Sequence, residues 1–322
     1  MEYVMGVLDD TFNKSSLGCF QDYVRANSRY KKFLIFSDYC LHDKNKPNDV
    51  VSFTIVPYDE YPEILKKKIR ELAPRDIKKT RKVNPEFINY LNQNRFFHVS
   101  FILGSRGGLT KNCSMKEVDY INESIDVTKS MLNDWAINTP SNREYFDSIV
   151  KKLNYLKNEQ NKKSPNRKLL RDVLLVPMLA SYLAYLLTKE AQASIIGWFS
   201  DRDKIIESYN EIAYDFFHIN HHSFCEKAGI NSSDSQIVVG QPTCSEGGMW
   251  YDAQNRLPDH IAGTIADWSL PDNKSSKQKF ISLIENLLAD NNNCILIKLD
   301  LKVGSFSCSR LEVKSQTCDS DL

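Results

Sequence analysis

Strand-like segments flank a long stretch that contains none, and this interruption limits the available folds more than any other feature of the chain. Phe33 to Phe36 is a compact apolar strand signal, and the polar stretch HDKNKPND separates it from a second, VVSFTIVPY, as in an antiparallel hairpin with a long loop. In EYPEILKKKIRELAP, Tyr61, Ile64, Leu65, Ile69 and Leu72 recur at helical spacing and Pro74 supplies a stop. PEFINYLNQN opens on Pro85 as a second short helix, and RFFHVSFILG alternates into a third strand before Gly104, Gly107 and Gly108 break it. From about 117 to 192 only helical patterns occur, with KNEQNKKSPNRK dividing two of the helices. Strand character returns in ASIIGWFSD. A long helical stretch, KIIESYNEIAYDFFHINHHSFCEKAGI, then leads to the short strand QIVVGQP and the helix LPDHIAGTIADW. An amphipathic helix, KQKFISLIENLLAD, and a terminal strand, CILIKLDLKVG, complete the pattern. The order predicts an α/β fold, a mixed sheet flanked by helices, with an all-helical insertion at about 117–192. One elaborated domain over 1–302 and a flexible C-terminal tail over 303–322 account for the whole length.

The charge balance narrows the partners. With 42 basic and 41 acidic residues the net charge is only +1, so binding to nucleic acid or an anionic membrane has to be local. Eight cysteines are scattered without a CxxC pair, and MEYVMGVLDDTFNKSS has no secretory character, which together predict reduced thiols in a cytoplasm. The run VLLVPMLASYLAYLL, Val173 to Leu187, is shorter than a bilayer requires and contains Pro177. It reads as a buried helix, and no membrane span is expected.

Acids supply the chemical signal. Asp38 in FLIFSDY, Asp201 in IIGWFSDRD and Asp259 in RLPDHIAG each fall where a strand end or a helix face would hold them at one edge of a sheet. Carboxylates collected from distant segments repel one another, so a fold that gathers them usually has a cation to neutralise them. Magnesium or manganese suits an all-carboxylate set. Each acid also has a structural reading, as a strand-end turn former or as an early-helix acid favoured by the helix dipole. Asp203 competes with Asp201 for the strand-end role. Asp267, two turns beyond Asp259, either reaches the same place or faces water.

The succession of a strand-borne Asp38, a hairpin, a helix followed by RDIKK, a helical block, a strand ending in Asp201 and a helix opening LPDHIAG resembles the RNase-H-like family catalogued as domain of unknown function 3800. In that family the first strand carries a DES-like motif, a later strand ends in Asp, and a closing helix carries a motif similar to LQLADLIAG. LPDHIAG is the better half of the match, whereas SDY lacks the usual Glu and Ser after the first Asp. The resemblance implies a metal-dependent nuclease that hydrolyses phosphodiester bonds of nucleic acid, leaving a 3′-hydroxyl. It implies Asp38, Asp201 and Asp259 as catalytic ligands of two Mg2+ or Mn2+ ions, with Asp76 of RDIKK auxiliary. Lys78, Lys79 and Arg81 would contact the substrate, and the helical insertion would grip it or meet a protein partner. The departure from the DES motif leaves a second class open: a catalytically inactive adaptor or binding protein, as the family resemblance suggests for bacterial antiviral or mobile-element systems.

Other signals are weaker. HINHH sets His218 and His222 four apart with His221 beside them, a spacing able to chelate zinc, but it lacks the glutamate of HExxH. GSRGGLTK departs from the P-loop pattern and reads as a turn, and no GxSxG elbow or reactive cysteine motif occurs. Basic residues concentrate in 66–82 and 151–171. Either run is a solvated face or a phosphate track, and the first brackets Asp76.

Overall fold

The structure, a computed structural model, describes residues 2–58, 62–104, 117–240, 249–302 and 305–315. Helices α1 (Glu2–Ser15) and α2 (Leu17–Ala26) precede the hairpin of β1 (Lys32–Cys40) and β2 (Asp49–Pro57). Next come α3 (Pro62–Leu72), a 3-10 turn at Ile77–Lys79, α4 (Pro85–Leu91) and β3 (Phe97–Leu103). Helices α5 (Glu117–Asn138), α6 (Arg143–Gln160) and α7 (Arg167–Ala191) lead to β4 (Ile195–Ser200), α8 (Lys204–Glu207), α9 (Ile212–Lys227) and β5 (Gln236–Val239). Then follow α10 (Arg256–Asp267), α11 (Gln278–Leu283), β6 (Cys294–Lys302) and β7 (Ser305–Leu311).

Among the described residues the strands form one seven-stranded sheet in the order β5-β4-β1-β2-β3-β6-β7. The pairs β1/β2, β2/β3 and β6/β7 are antiparallel, whereas β1/β4, β4/β5 and β3/β6 are parallel. This is the mixed α/β sheet flanked by helices that the order of elements predicts. Alternation in β1 sends Phe33 and Ile35 into the core on the α1, α2, α7 and α9 side, and Leu34 and Phe36 into the core on the α3, α4, α10 and α11 side. With helices on both faces, β2 and β3 are buried along their whole length, which is why they read as nearly unbroken apolar runs.

Several expectations need correction. Helix α7 is long and apolar enough to cross a membrane, yet 94% of its apolar window is buried inside the protein, as a core helix. It packs along α9 and touches β1 and β4, so it is a layer of the fold and not part of an insertion. Of the helices over 117–192, α5 and α6 pack chiefly on each other, and α6 also on α9. The predicted tail is wrong for 305–311, which form β7 and cover the edge of β6 that β3 leaves open. The long helix predicted over 204–230 is broken by Tyr209, Asn210 and Glu211, all at positive φ, into α8 and α9. No element was expected before Phe33. There α1 and α2 bury Leu8, Phe12, Phe20 and Tyr23 against the sheet. Of GSRGGLTK, residues 105–111 lie outside the described residues.

A buried charge cluster fastens the β1–β2 loop to α7. His42 Nε2 lies 2.6 Å from Asp172 Oδ2, and its backbone N–H donates to Asp49 Oδ1 at 2.8 Å. Arg171 donates from Nε to Asp172 Oδ1 at 2.7 Å and stands 3.7 Å from Asp49 Oδ2. Losing one member would leave a buried charge uncompensated, so the cluster holds the loop firmly.

Candidate active site

Strand pairing alone brings two of the acids together. The parallel register of β1 and β4 ends at Ser37 opposite Ser200, and the Asp201 N–H extends it by donating to the Ser37 carbonyl at 3.0 Å. Leu34 and Phe36 on β1 and Phe199 on β4 belong to the core on the α10 side. The two-residue period therefore directs Asp38 and Asp201 to that same face, at the carboxyl ends of adjacent parallel strands. Open α/β sheets place ligands in this crevice.

Helix α10 supplies the third acid. Asp259 lies in its first turn, and its Oδ2 accepts from the backbone N–H of Ile77 at 2.6 Å. One turn further along, Gly263 lets the helix close on that loop, since a Cβ there would lie 2.5 Å from Ile77 Cγ2. Asp259 and Gly263 thus clamp the 3-10 turn that follows Asp76, and the RDIKK segment is delivered to the cleft by α10. Alanine at 263 gains about 1 kcal/mol of helix propensity but overpacks a β-branched side chain at a cost of roughly 1–3 kcal/mol. Gly263→Ala is therefore expected to lower stability in urea unfolding, and to raise it in an Ile77→Ala background. An effect of the same sign in both backgrounds would refute the clamp.

The resulting cleft, about 740 Å³, is lined by Asp38, Asp76, Asp201, Asp203, Asp252 and Asp259 together with Lys78, Lys277 and the Asn255 amide. Burial raises the Asp38 carboxyl well above the usual carboxylate range, and the charges of Asp259 and Asp201 raise it further. Burial also pushes Asp259 up to about 7, opposed by the Ile77 N–H and reinforced by Asp76 and Asp201. Asp201 moves upward for the same first reason, with Asp76 and Asp252 adding to it. Burial alone would raise Asp76, but the hydrogen bond and charge of Lys79 outweigh it and bring its pKa below the usual value.

On the opposite face of the strand ends, a one-way hydrogen-bond chain fixes the backbone that carries these acids. Trp198 Nε1–H donates to Ser37 Oγ at 2.9 Å, and Ser200 Oγ donates to the Asp201 carbonyl at 2.9 Å. With both ends assigned, the Ser37–Tyr39 contact of 2.7 Å and the Tyr39–Ser200 contact of 2.8 Å run from Ser37 to Tyr39 to Ser200. β1 and β4 are thereby tied together directly behind Asp38 and Asp201.

Asp38, Asp76, Asp201, Asp259 and Lys78 are thus brought to one cleft. Lys79 is engaged with Asp76 at 3.0 Å, and Arg81 is exposed and outside the lining. Asp203 sits at the cleft edge but caps α8, accepting from the Ile205 N–H at 2.8 Å, so Asp201 is the acid that faces Asp38. Asp267 neither lines the cleft nor faces water: it is buried and bonded to Lys46 Nζ at 2.5 Å and to the Ser276 N–H at 2.7 Å. The histidines of HINHH diverge. His221 contacts Thr188 Oγ1 at 2.9 Å, and His222 contacts Ser232 Oγ at 2.6 Å and packs edge-on to Trp135.

Asp252 and Asn255 were missed by sequence reasoning, because WYDAQN carries no strand or helix period that would aim its side chains. Among the described residues no three His, Cys, Asp or Glu side chains form a ready-made chelating group. The acids instead ring the cleft. An all-oxygen donor set around such a space fits a divalent ion that keeps several of its waters, as magnesium does. The chain matches no protein-family model, no curated protein and no solved structure.

Proposed function

We propose that this protein is a metal-dependent nuclease that hydrolyses phosphodiester bonds of nucleic acid. The observation that carries the reading is the meeting of Asp38, Asp201 and Asp259, from three distant segments, in one cleft where each has its pKa raised by burial and by neighbouring carboxylates. Asp38, Asp201 and Asp259 would hold Mg2+ or Mn2+, and Asp76, kept ionised by Lys79, would be an auxiliary ligand. Two such ions supply an activated water and stabilise the leaving oxygen. The rest falls to the chain's own groups. Asp259 holds the 76–79 turn through Ile77 and so sets the position of Lys78, whose ammonium orients a substrate phosphate beside the acids. Trp198, Ser37, Tyr39 and Ser200 keep the strand tips from separating when like charges repel. A cytoplasmic setting fits the cysteines, which are free among the described residues, and α5 with α6 would offer a surface to a protein partner.

A second reading, an adaptor that keeps the fold without cleavage, is favoured by Ser37-Asp38-Tyr39, which lacks the Glu and Ser that follow the first Asp of the DES-like motif. Labelled single-stranded, duplex and hybrid substrates distinguish the two when incubated with Mg2+ or Mn2+ and compared between wild type and the Asp38→Ala, Asp259→Ala double variant. Cleavage to a 3′-hydroxyl by wild type alone is the expected result. Equal activity in both proteins, or none with either metal, rejects catalysis here.

A further inference from the structure

Among the described residues, the cleft lining includes a carboxamide that the fold leaves wholly unsatisfied. Asn255 is 3% exposed, it belongs to the lining of the cleft, and both Nδ2 and Oδ1 are buried without a hydrogen-bond partner among the described residues. Its backbone is fully used. The Asn255 N–H donates to the Tyr251 carbonyl at 3.2 Å, and its carbonyl accepts from the Asp259 N–H at 3.0 Å. This places the carboxamide one helical turn before Asp259, on the same side of α10. A buried amide with neither end paired is a cost that folded proteins seldom carry unless something else completes it.

The neighbouring donors indicate what that is. Several cations around the cleft are committed to holding the fold: Lys46 to Asp267, Lys279 Nζ to the carbonyls of Ile77 and Thr80, and Arg256 Nη1 to the carbonyl of Ala73. Carboxylate oxygen is abundant in the cleft, so a further neutral oxygen adds little for a cation. Nδ2 of Asn255 is a buried N–H donor, beside the equally unpartnered Nε of Arg256. Resting on the nuclease reading of the same site, we infer that Asn255 is a substrate-binding residue whose carboxamide donates to a non-bridging oxygen of the phosphodiester, with Lys78 and Lys277 neutralising its charge from the cleft mouth.

The test uses full-length protein, Mn2+ titration, and a fluorescein-labelled single-stranded oligonucleotide in Ca2+. Asn255→Leu removes the polar ends at similar volume, and Asn255→Asp replaces the donor with a charge. Asn255→Leu is expected to weaken oligonucleotide binding about tenfold or more, to leave Mn2+ binding within about twofold of wild type, and to keep or raise the unfolding midpoint. Asn255→Asp is expected to weaken the oligonucleotide further. Unchanged oligonucleotide affinity in Asn255→Leu overturns the inference while leaving the nuclease reading intact. A parallel fall in Mn2+ binding and unfolding midpoint overturns it in favour of a structural role, and tighter Mn2+ binding by Asn255→Asp without oligonucleotide loss overturns it in favour of a metal ligand. Wild type that binds neither probe defeats the nuclease reading, and the inference with it.

Discussion

Asp38→Asn is expected to act in opposite directions on activity and on stability. Asparagine keeps the shape of the side chain and removes a charge that sits, half-buried, beside Asp201 and Asp259. Metal-dependent cleavage should fall by more than the roughly hundredfold typical of losing an outer-shell partner of a metal ligand. The metal-free protein should become more stable, because the carboxylate no longer has to be buried among like charges. Each kcal/mol of repulsion relieved would raise the melting temperature by about 1–2 °C in a chain of this size. Scanning calorimetry in EDTA, paired with a single-turnover cleavage assay, measures both. Loss of activity with loss of stability would mean that Asp38 is a structural residue and that the cleft is not a strained anionic site.

The second large effect is a dependence of stability on pH that a divalent ion should erase. Asp259 is pushed up to about 7 in the folded chain from an ordinary value of 3.8, and Asp38 and Asp201 shift in the same direction. The folded state therefore holds protons that the unfolded state releases. The stabilisation this gives is complete below about pH 4 and is lost as pH rises through the folded-state values, by an amount on the order of a few kcal/mol. In EDTA the melting temperature should decline between about pH 5 and about pH 8. Mg2+ or Mn2+ binds the deprotonated acids, so its stabilising effect should be small at the acid end and grow toward neutrality. A flat EDTA profile, or a metal effect that does not increase with pH, would show that these carboxylates are not coupled as described. Asp38→Asn should flatten the profile in EDTA, linking the two measurements.

How much of this was legible in the sequence depended on whether a residue sat on a periodic element. Asp38, Asp201 and Asp259 could be found because each terminates or opens a segment whose apolar period fixes which way the next side chain points. Asp76 and Lys78 were found through the resemblance of RDIKK; what holds them in place, the contact of Ile77 with Asp259 and Gly263, joins segments 182 residues apart and leaves no local trace. Asp267 was misjudged for a related reason: helical spacing put it on the Asp259 side of α10, but Lys46 from the distant β1–β2 loop captured it. The histidine triplet had the spacing of a zinc site, yet separate neighbours occupy His221 and His222. The mistaken insertion has the same origin. Periodicity identifies α7 as a helix and its apolar run as buried, but does not say that the surface burying it is the central sheet.

The union of β1 and β4 has a kinetic consequence. Tyr39 and Ser200, which stitch the strand tips together, are 161 residues apart in the chain. Closing so long a loop is slow, and the reward comes only after the intervening helices have collapsed. A ribosome must therefore release β4 before Asp38 and Asp201 can face each other, so the acidic cleft stays unassembled in the nascent chain until that strand has emerged.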